Sequence, residues 1–492
     1  MNLPCRLIFL ALLPVAVFAS CRRVDYVKIA GGETGEHPAQ SVFIESLLGK
    51  NREIAALNLR FLGKTDGERK RPKTALVIEM LSSWEHERAF GDIIVSKDIF
   101  VPVFAPQENP LAWRTGTSLA SCLDGSETLV LANEIAPPFV ALKVDGKNIG
   151  DPDYPLIRVH GIRVSIDSDK KPGRRLQIKL DALQKILQEA AKELVKPETS
   201  PVWIAAGGDV MLQRGATEIL LSEGASGIFG GTADMLATAD IAVINLEGPV
   251  SDRGKIANKT YTFRFIPETA PALQNAGINA VLQANNHAYD FGETAFIDSL
   301  SHLGNAGIAV LGAGINDDLA SDPFVFTRKD ETFRLFGIAS FPRERNGWDG
   351  ANAAATPDAP GMLHAAKGGA EKLKEKFCKN ENDTCIDIVF FHGGTEWSTK
   401  PDTATRQLYT DLIAAGADLV IGSHPHTVQG FEWVLGKPVF WSLGNYVFAG
   451  MQNTDGGDEG LFVRLGFHGG RLMYMEPYAL TLNQARTDIA GR

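Results

Sequence analysis

Cysteine is scarce in this chain, 5 in 492 residues, and the spacings match no cysteine-rich zinc site, so no structural zinc is inferred from them. A surplus of positive charge is missing too: 49 Lys plus Arg face 59 Asp plus Glu, for a net charge of -10. A duplex-binding footprint is normally basic, so nucleic acid is not an expected partner. The N-terminal apolar run, Leu7 to Phe18, stops at 12 residues, short of the roughly 20 that a membrane-crossing helix needs. Internal repeats and low-complexity tracts are absent. What is present is ordinary: 44% hydrophobic and 22% charged residues describe a globular chain, and its length suggests two or three domains at roughly 150 residues each.

The apolar run follows Arg6 and leads into Ala19-Ser20-Cys21 and Arg22-Arg23. Such a stretch reads as the core of a signal peptide covering residues 1–20, which makes the mature chain an exported one. Small residues directly before a cysteine resemble a bacterial lipoprotein signal, which implies acylation of Cys21 and a lipid anchor to the membrane, facing periplasm or cell exterior. Phe18 departs from the Leu usual three residues before that cysteine, and an ordinarily secreted or periplasmic protein is the alternative. With Cys5 removed and Cys21 acylated, Cys122, Cys378 and Cys385 remain. Cys378 and Cys385 flank a polar loop in a compartment that permits oxidation, and a disulfide between them is expected.

Residues 21–196 carry mixed patterns that suggest a smaller α/β domain: strand-like runs at Thr74–Ile78, Asp92–Val95 and Ile99–Phe104, and an amphipathic helix over Asp181–Lys196. The basic stretch Lys64–Lys73 reads as a solvated loop. Residues 197–201, bounded by prolines, read as a linker. Beyond it, β-rich runs alternate with helical stretches, the pattern of an α/β core over 202–480, with 481–492 as a C-terminal tail. The runs are Val202–Ala206, Ile241–Ile244, Ala280–Gln283, Phe333–Ala339, Ile386–Phe391, Leu419–Gly422 and Pro438–Leu443. Several end in polar residues of catalytic type: Asp209, Asn245 and Glu247, Asn285 to His287, His392, His424 and His426, and Asn445. Ligands of α/β sheets bind at the carboxyl ends of strands, so these groups should converge. Imidazole and carboxylate together suit zinc, manganese or iron, and the count is sufficient for two metals. Singly, each has a plainer reading: a lone His after a strand is usually structural, and Asp209 could be a helix cap. The proline of His424-Pro425-His426 stiffens a turn and lets two imidazoles point inward.

The ordered segments GGDVML (207–212), NLEGPVS (245–251), ANNHAYDFGE (284–293), FFHGGTEW (390–397), GADLVIGSHPHTVQGFE (416–432) and KPVFWSLGNYVF (437–448) resemble the motif series of the CapA family, capsule-synthesis proteins associated with poly-γ-glutamate. That family is similar in turn to calcineurin-like metallophosphoesterases. The resemblance covers roughly 201 to 450. It implies a four-layer fold of two mixed sheets flanked by helices, preceded here by the smaller α/β domain, with a cleft for one or two divalent transition metals at one rim. Carried over by motif, Asp209 and His426 serve one metal, Asn286, His392 and His424 the other, and Glu247 bridges. His287 is then the proton donor to a leaving group. Glu396, Asp290 and Asn445 are the candidates for substrate contact, Glu396 also for completing the coordination, with a plain surface glutamate as its other reading.

Two departures bear on this. Related phosphoesterases carry Asp-x-His on the first strand, whereas Met211 stands here in place of the imidazole, and the bridge is Glu, not Asp. The implied activity is that of an envelope-anchored, metal-dependent hydrolase or transferase in capsule or poly-γ-glutamate-type polymer synthesis or processing. Its expected partners are an anionic envelope polymer or phosphoester substrate, the membrane through the lipid anchor, and other polymer-synthesis components. A non-catalytic polymer-binding or assembly component is the alternative. Residues 22–196 lie outside the resemblance; their weak similarity to the second half of periplasmic phosphate-type solute-binding proteins competes with a plain spacer role.

Overall fold

The computed structural model describes residues 25–30, 59–62, 74–85, 92–168, 171, 173–192, 199–344, 347–378 and 385–490. The signal peptide, Cys21 and the start of the 197–201 linker lie outside the described residues. Two compact units divide the chain, Met1–Asp98 with Ile157–Lys196, and Ile99–Leu156 with Pro197–Arg492. The expected first domain therefore loses 99–156 to the second unit. The two runs read at Asp92–Val95 and Ile99–Phe104 are one strand, Ile93–Phe104, which continues through the polar residues Ser96, Lys97 and Asp98. Within the second unit, Val140 sits in the same core cluster as Val202 and Phe467, and the Ile149 N–H donates to Tyr474 Oη at 3.0 Å.

In the first unit, Asp25–Ala30 runs parallel to Leu59–Leu62 and to Thr74–Trp84. Thr74–Trp84 pairs antiparallel with Ile157–Ser168 over its full length. The helix spans Arg174–Lys192, starting seven residues before the expected Asp181. Leu180, Leu183, Leu187 and Ala191 recur at helical spacing and pack with Ile78, Ile93, Val95, Ile162 and Val164, which is what an amphipathic helix on a sheet requires. No described helix is long and apolar enough to cross a membrane.

The second unit is a mixed α/β structure with two large sheets. The eight-stranded sheet is ordered Ala309–Leu311, Ala280–Leu282, Ile241–Leu246, Val202–Met211, Glu459–His468, Arg471–Asn483, Arg486–Ile489, with Asn445–Phe448 paired to Val202–Met211 as well. Its first four strands are parallel and its last three antiparallel. The expected C-terminal tail is thus part of the sheet: Arg486–Ile489 pairs with the preceding strand, with Thr487 and Ile489 turned inward. The six-stranded sheet is ordered Phe324–Arg328, Glu331–Ser340, Cys385–Gly393, Leu419–Ser423, Lys437–Leu443, Val428–Val434, its four inner strands parallel.

One apolar cluster joins Ile204, Val243 and Leu282 of the first sheet to Leu335, Ile388, Ile421 and Phe440 of the second. A second cluster takes alternate residues of the first sheet, such as Ala205, Ala242 and Val281, with Leu220, Leu236, Leu273 and Leu303 from helices. A third takes Phe336, Val389 and Val420 with Leu373, Tyr409 and Leu412. Strands buried on both faces read as continuous apolar runs, and these do. Cys378 and Cys385 are disulfide-bonded, joining the segment after helix Gly369–Lys376 to the start of the strand that carries His392; Cys122 is buried and unpaired.

Candidate metal centre

Strand Val202–Met211 carries Asp209 past an irregular register between Ala206 and Val210. The bend is possible because residues 207 and 208 are glycine: a Cβ on Gly208 would meet Gly444 O at 2.0 Å, and one on Gly207 the Tyr446 ring at 2.2 Å. Asp209 is fully buried. Its Oδ1 accepts from Asn245 Nδ2 at 2.8 Å, its Oδ2 accepts the His424 N–H at 3.2 Å, and Oδ2 also lies 3.2 Å from His426 Nδ1. Glu247 follows strand Ile241–Leu246, its N–H donating to Val210 O at 2.9 Å. Glu247 is fully buried, and its Oε2 has no hydrogen-bond partner. Asp209, Glu247 and His426 present ligand atoms all within 4.8 Å of one another.

A second group meets this one at Glu247. His392 Nε2 lies 2.9 Å from Asn286 Oδ1, 3.1 Å from His424 Nδ1 and 3.6 Å from Glu247 Oε1. On the far side of the ring, His392 Nδ1 lies 3.2 Å from Ser423 Oγ, whose own proton goes to Phe391 O at 3.0 Å. Ser423 Oγ is therefore an acceptor toward the ring, which puts the imidazole proton on Nδ1 and the lone pair on Nε2. That lone pair, the Asn286 carbonyl and the Glu247 carboxylate are all acceptors aimed at one another, an arrangement that suits a cation between them.

The electrostatics agree. Burial, with the Asp209 carboxylate beside it, pushes the Glu247 carboxyl well above the usual range. Burial opposes charge on His426, but Glu247 and Asp209 outweigh it and push the imidazole up to about 10. His392 and His424 are held well below the ordinary histidine value by burial and by neighbouring imidazoles. A buried pair of carboxylates surrounded by lone-pair donors is the chemistry of a divalent-metal site, and the residues present fit such an ion. The backbone is shaped to match: His424 and His426 both adopt left-handed conformations, with φ of 98° and 60°, strain of the kind that collects at functional sites.

Beside the candidate ligands, His287 Nδ1 lies 2.6 Å from Asp290 Oδ2, its ring tilted by 35° against Phe263 at a centroid distance of 4.2 Å, and Nε2 has no protein partner among the described residues. Burial lowers its pKa. Asp290 and Asn445, expected from sequence at the substrate, are both buried and hydrogen-bonded within the protein. Asp290 has both oxygens engaged, Oδ1 by Lys259 Nζ at 2.7 Å and Oδ2 by His287 and the Phe263 N–H. Asn445 is fully buried, its Oδ1 facing His426 Nδ1 at 2.9 Å and its Nδ2 donating to Gly457 O at 2.8 Å. Asp290 thus supports the His287 ring from behind, while Asn445 Oδ1 meets the same His426 nitrogen that faces Asp209. Glu396 is exposed, and its charge is felt at Glu247 and His426. Its neighbour Trp397, at φ 64°, lies 5.2 Å ring to ring from His426 and ties its N–H to Pro425 O at 2.8 Å. Met211 adds no ligand: it is buried in the apolar cluster behind the sheet, and its sulfur accepts the Gln213 N–H.

Four further residues had no role assigned from sequence. Asn245 joins Asp209 to Glu247, and Asn285 accepts the His287 N–H while donating to Asn245 Oδ1 at 3.1 Å. Both stand next to assigned residues at strand ends, where an amide able to donate and accept at once is a visible signal. Ser423 orients His392, and Lys259 comes from a loop with no such signal.

Known proteins resemble the part of the chain that holds this site. Over 244 residues the chain is 28% identical to "PGA biosynthesis protein CapA" of Bacillus subtilis (strain 168), covering 49% of this chain and 62% of that one. Over 267 residues it is 29% identical to "Capsule biosynthesis protein CapA" of Bacillus anthracis, covering 53% and 63%. The matched part thus spans less than two thirds of these relatives' length. A solved structure of a hypothetical protein from Thermus thermophilus aligns with a TM-score of 0.34 and 15% identity over 57% of this chain and 100% of that one, too slight a likeness to bear on the site. The profile of the bacterial capsule synthesis protein family PGA_cap matches residues 203–450, the stretch that holds every candidate ligand described above, and the chain belongs to that family.

Proposed function

We propose that this protein is a metal-dependent hydrolase or transferase acting in the synthesis or processing of a capsule or poly-γ-glutamate-type polymer. In this reading its second unit is a four-layer, metallophosphoesterase-like domain, and the mature chain is held to the membrane through an acylated Cys21. The observation that carries the reading is the convergence of the His392 Nε2 lone pair and the Asn286 side-chain carbonyl on the buried Glu247 carboxylate, whose Oε2 has no hydrogen-bond partner. Asp209, Glu247 and His426 would hold one ion, and Asn286, His392, His424 and Glu247 a second. Zinc, manganese or iron bound there supplies Lewis-acid charge stabilisation to a phosphoryl or acyl group under attack.

The chain's own residues do the rest. Asp290 accepts a hydrogen bond from His287 Nδ1–H and aims Nε2 at the leaving group; the doubly protonated ring gives its Nε2 proton to that group and is left as the neutral tautomer protonated at Nδ1. The apolar wall of Phe263 and Phe448 keeps water from the back of the imidazoles. A second reading, a non-catalytic component that binds an anionic envelope polymer, is favoured by one observation: Met211 supplies no ligand where related sites have an imidazole.

The test is turnover by metal-replete protein of phosphomonoesters, phosphodiesters and γ-glutamyl amides. General-acid assistance is worth about 10² to 10⁴ in rate, so His287→Gln should cost that much for poor leaving groups, much less for nitrophenolate, with metal content unchanged. Binding of the polymer without turnover of any of the three substrates would select the second reading.

A further inference from the structure

Lys259 lies outside the ligand set, yet its side chain is fully buried. Nζ donates to Asn286 O at 2.6 Å, to Asp290 Oδ1 at 2.7 Å and to Glu344 Oε1 at 3.0 Å, with the Trp348 ring 4.2 Å away. Three ammonium protons thus meet three acceptors, which is how a fully desolvated charge becomes tolerable. Two of those acceptors belong to the site. Asn286 O is the carbonyl of a candidate ligand, and Asp290 is the carboxylate on which His287 rests. Every contact of Asp290 is with a donor: Lys259 Nζ on Oδ1, the Phe263 N–H and His287 Nδ1 on Oδ2. A carboxylate used only as an acceptor fixes the imidazole proton on Nδ1 and turns Nε2 outward.

We propose that Lys259 is the positioning residue of the proton donor: by pinning Asp290 and the Asn286 carbonyl together, it sets the tautomer and the aim of the His287 ring. The proposal rests on the reading of His287 as proton donor. Its structural competitor is that Lys259 only ties its loop to the Glu344–Trp348 segment. Lys259→Met keeps the bulk and removes the three hydrogen bonds, whereas Glu344→Gln weakens only the loop tie.

Two measurements separate these roles. The first is the nitrogen-15 imidazole spectrum of His287 in zinc-loaded protein. One tautomer, protonated at Nδ1, is expected in the wild type and in Glu344→Gln, and a mixture of tautomers in Lys259→Met. The second is a double-mutant cycle on a phosphodiester with a poor leaving group. Lys259→Met should lower kcat by about 10- to 100-fold with KM and zinc content little changed, and should cost less than about threefold once His287 is already Gln, because coupled residues are not additive. Equal losses in both backgrounds, loss of zinc, or an unchanged tautomer would overturn the proposal. If the wild type turns over nothing, the hydrolase reading falls and the tautomer alone decides the role of Lys259. Should Lys259→Met not fold, Lys259→Ala supplied with ethylammonium replaces it. Recovery of the single tautomer by ethylammonium, but not by tetramethylammonium, which has no N–H to donate, supports the role, and any other result rejects it.

Discussion

Replacing Glu247 by Gln tests the cation site without reference to any substrate. In metal-free protein the Glu247 carboxyl is fully buried and one oxygen has no partner. A buried unsatisfied polar atom costs about 1–3 kcal/mol, more when charged. The neutral amide should therefore leave the metal-free fold as stable as the wild type or up to about 3 kcal/mol more so. For a unit of about 350 residues, unfolding entropy at about 2.1 cal/mol/K per residue comes to about 0.7 kcal/mol/K, so 2 kcal/mol moves Tm by about 3 °C. Zinc at 100 times its Kd adds about 2.7 kcal/mol to a protein that binds it only when folded, about 4 °C on the same scale. Calorimetry of chelator-treated protein, with and without zinc, should show that rise in the wild type and its loss in Glu247→Gln, with the metal-free variant melting no lower than metal-free wild type. A variant that keeps the full zinc response, or one that melts several degrees below metal-free wild type, would refute the reasoning.

Two other outcomes are expected. Cys21→Ser should release the exported protein from the membrane fraction, since stable anchoring rests on acyl chains; fractionation that finds the wild type already soluble removes the lipid anchor. His364 is buried with Nε2 unpartnered, and burial drives its pKa down to about 4 from 6.5. A depressed imidazole is neutral in the native state and charges on unfolding. The associated stability is therefore present above about pH 6.5 and lost as pH falls toward 4, by up to about 3 kcal/mol. Urea unfolding at pH 7 and pH 4.5 should show a smaller acid loss for His364→Gln; an equal loss would assign it to other groups.

The site was legible where chemistry and strand order coincide. Asp209, Glu247, His392 and His424 each follow an apolar β-run, and parallel strands deliver their carboxyl ends to one edge of a sheet. What could not be read is which polar residue faces the cleft and which stands behind it. Asp290 shares a segment with His287, and Asn445 follows a strand as the ligands do; only tertiary packing shows both with their polar atoms consumed. Lys259 lies in an irregular loop, where nothing marks a lysine for burial. The fold was legible in its central strands and not in its borders. A single strand carrying Ser96, Lys97 and Asp98 at its middle looks like two, and the short last strand Arg486–Ile489, within 481–492, looks like a tail.

The antiparallel strands at the end of the chain bear on the order of assembly. The strand that presents Asp209 is paired on one side with Glu459–His468, which leaves the ribosome about 250 residues later. At 5–20 residues per second the delay is roughly 10 to 50 s. Until Asn445–Phe448 and then Glu459–His468 emerge, one edge of the Asp209 strand has no neighbour, and a β edge without a neighbour is open to pairing with other chains. On the reading of this site as a metal centre, loading would wait for the finished polypeptide, and shortening the chain to end between His426 and residue 468 should abolish it even though every candidate ligand is still present.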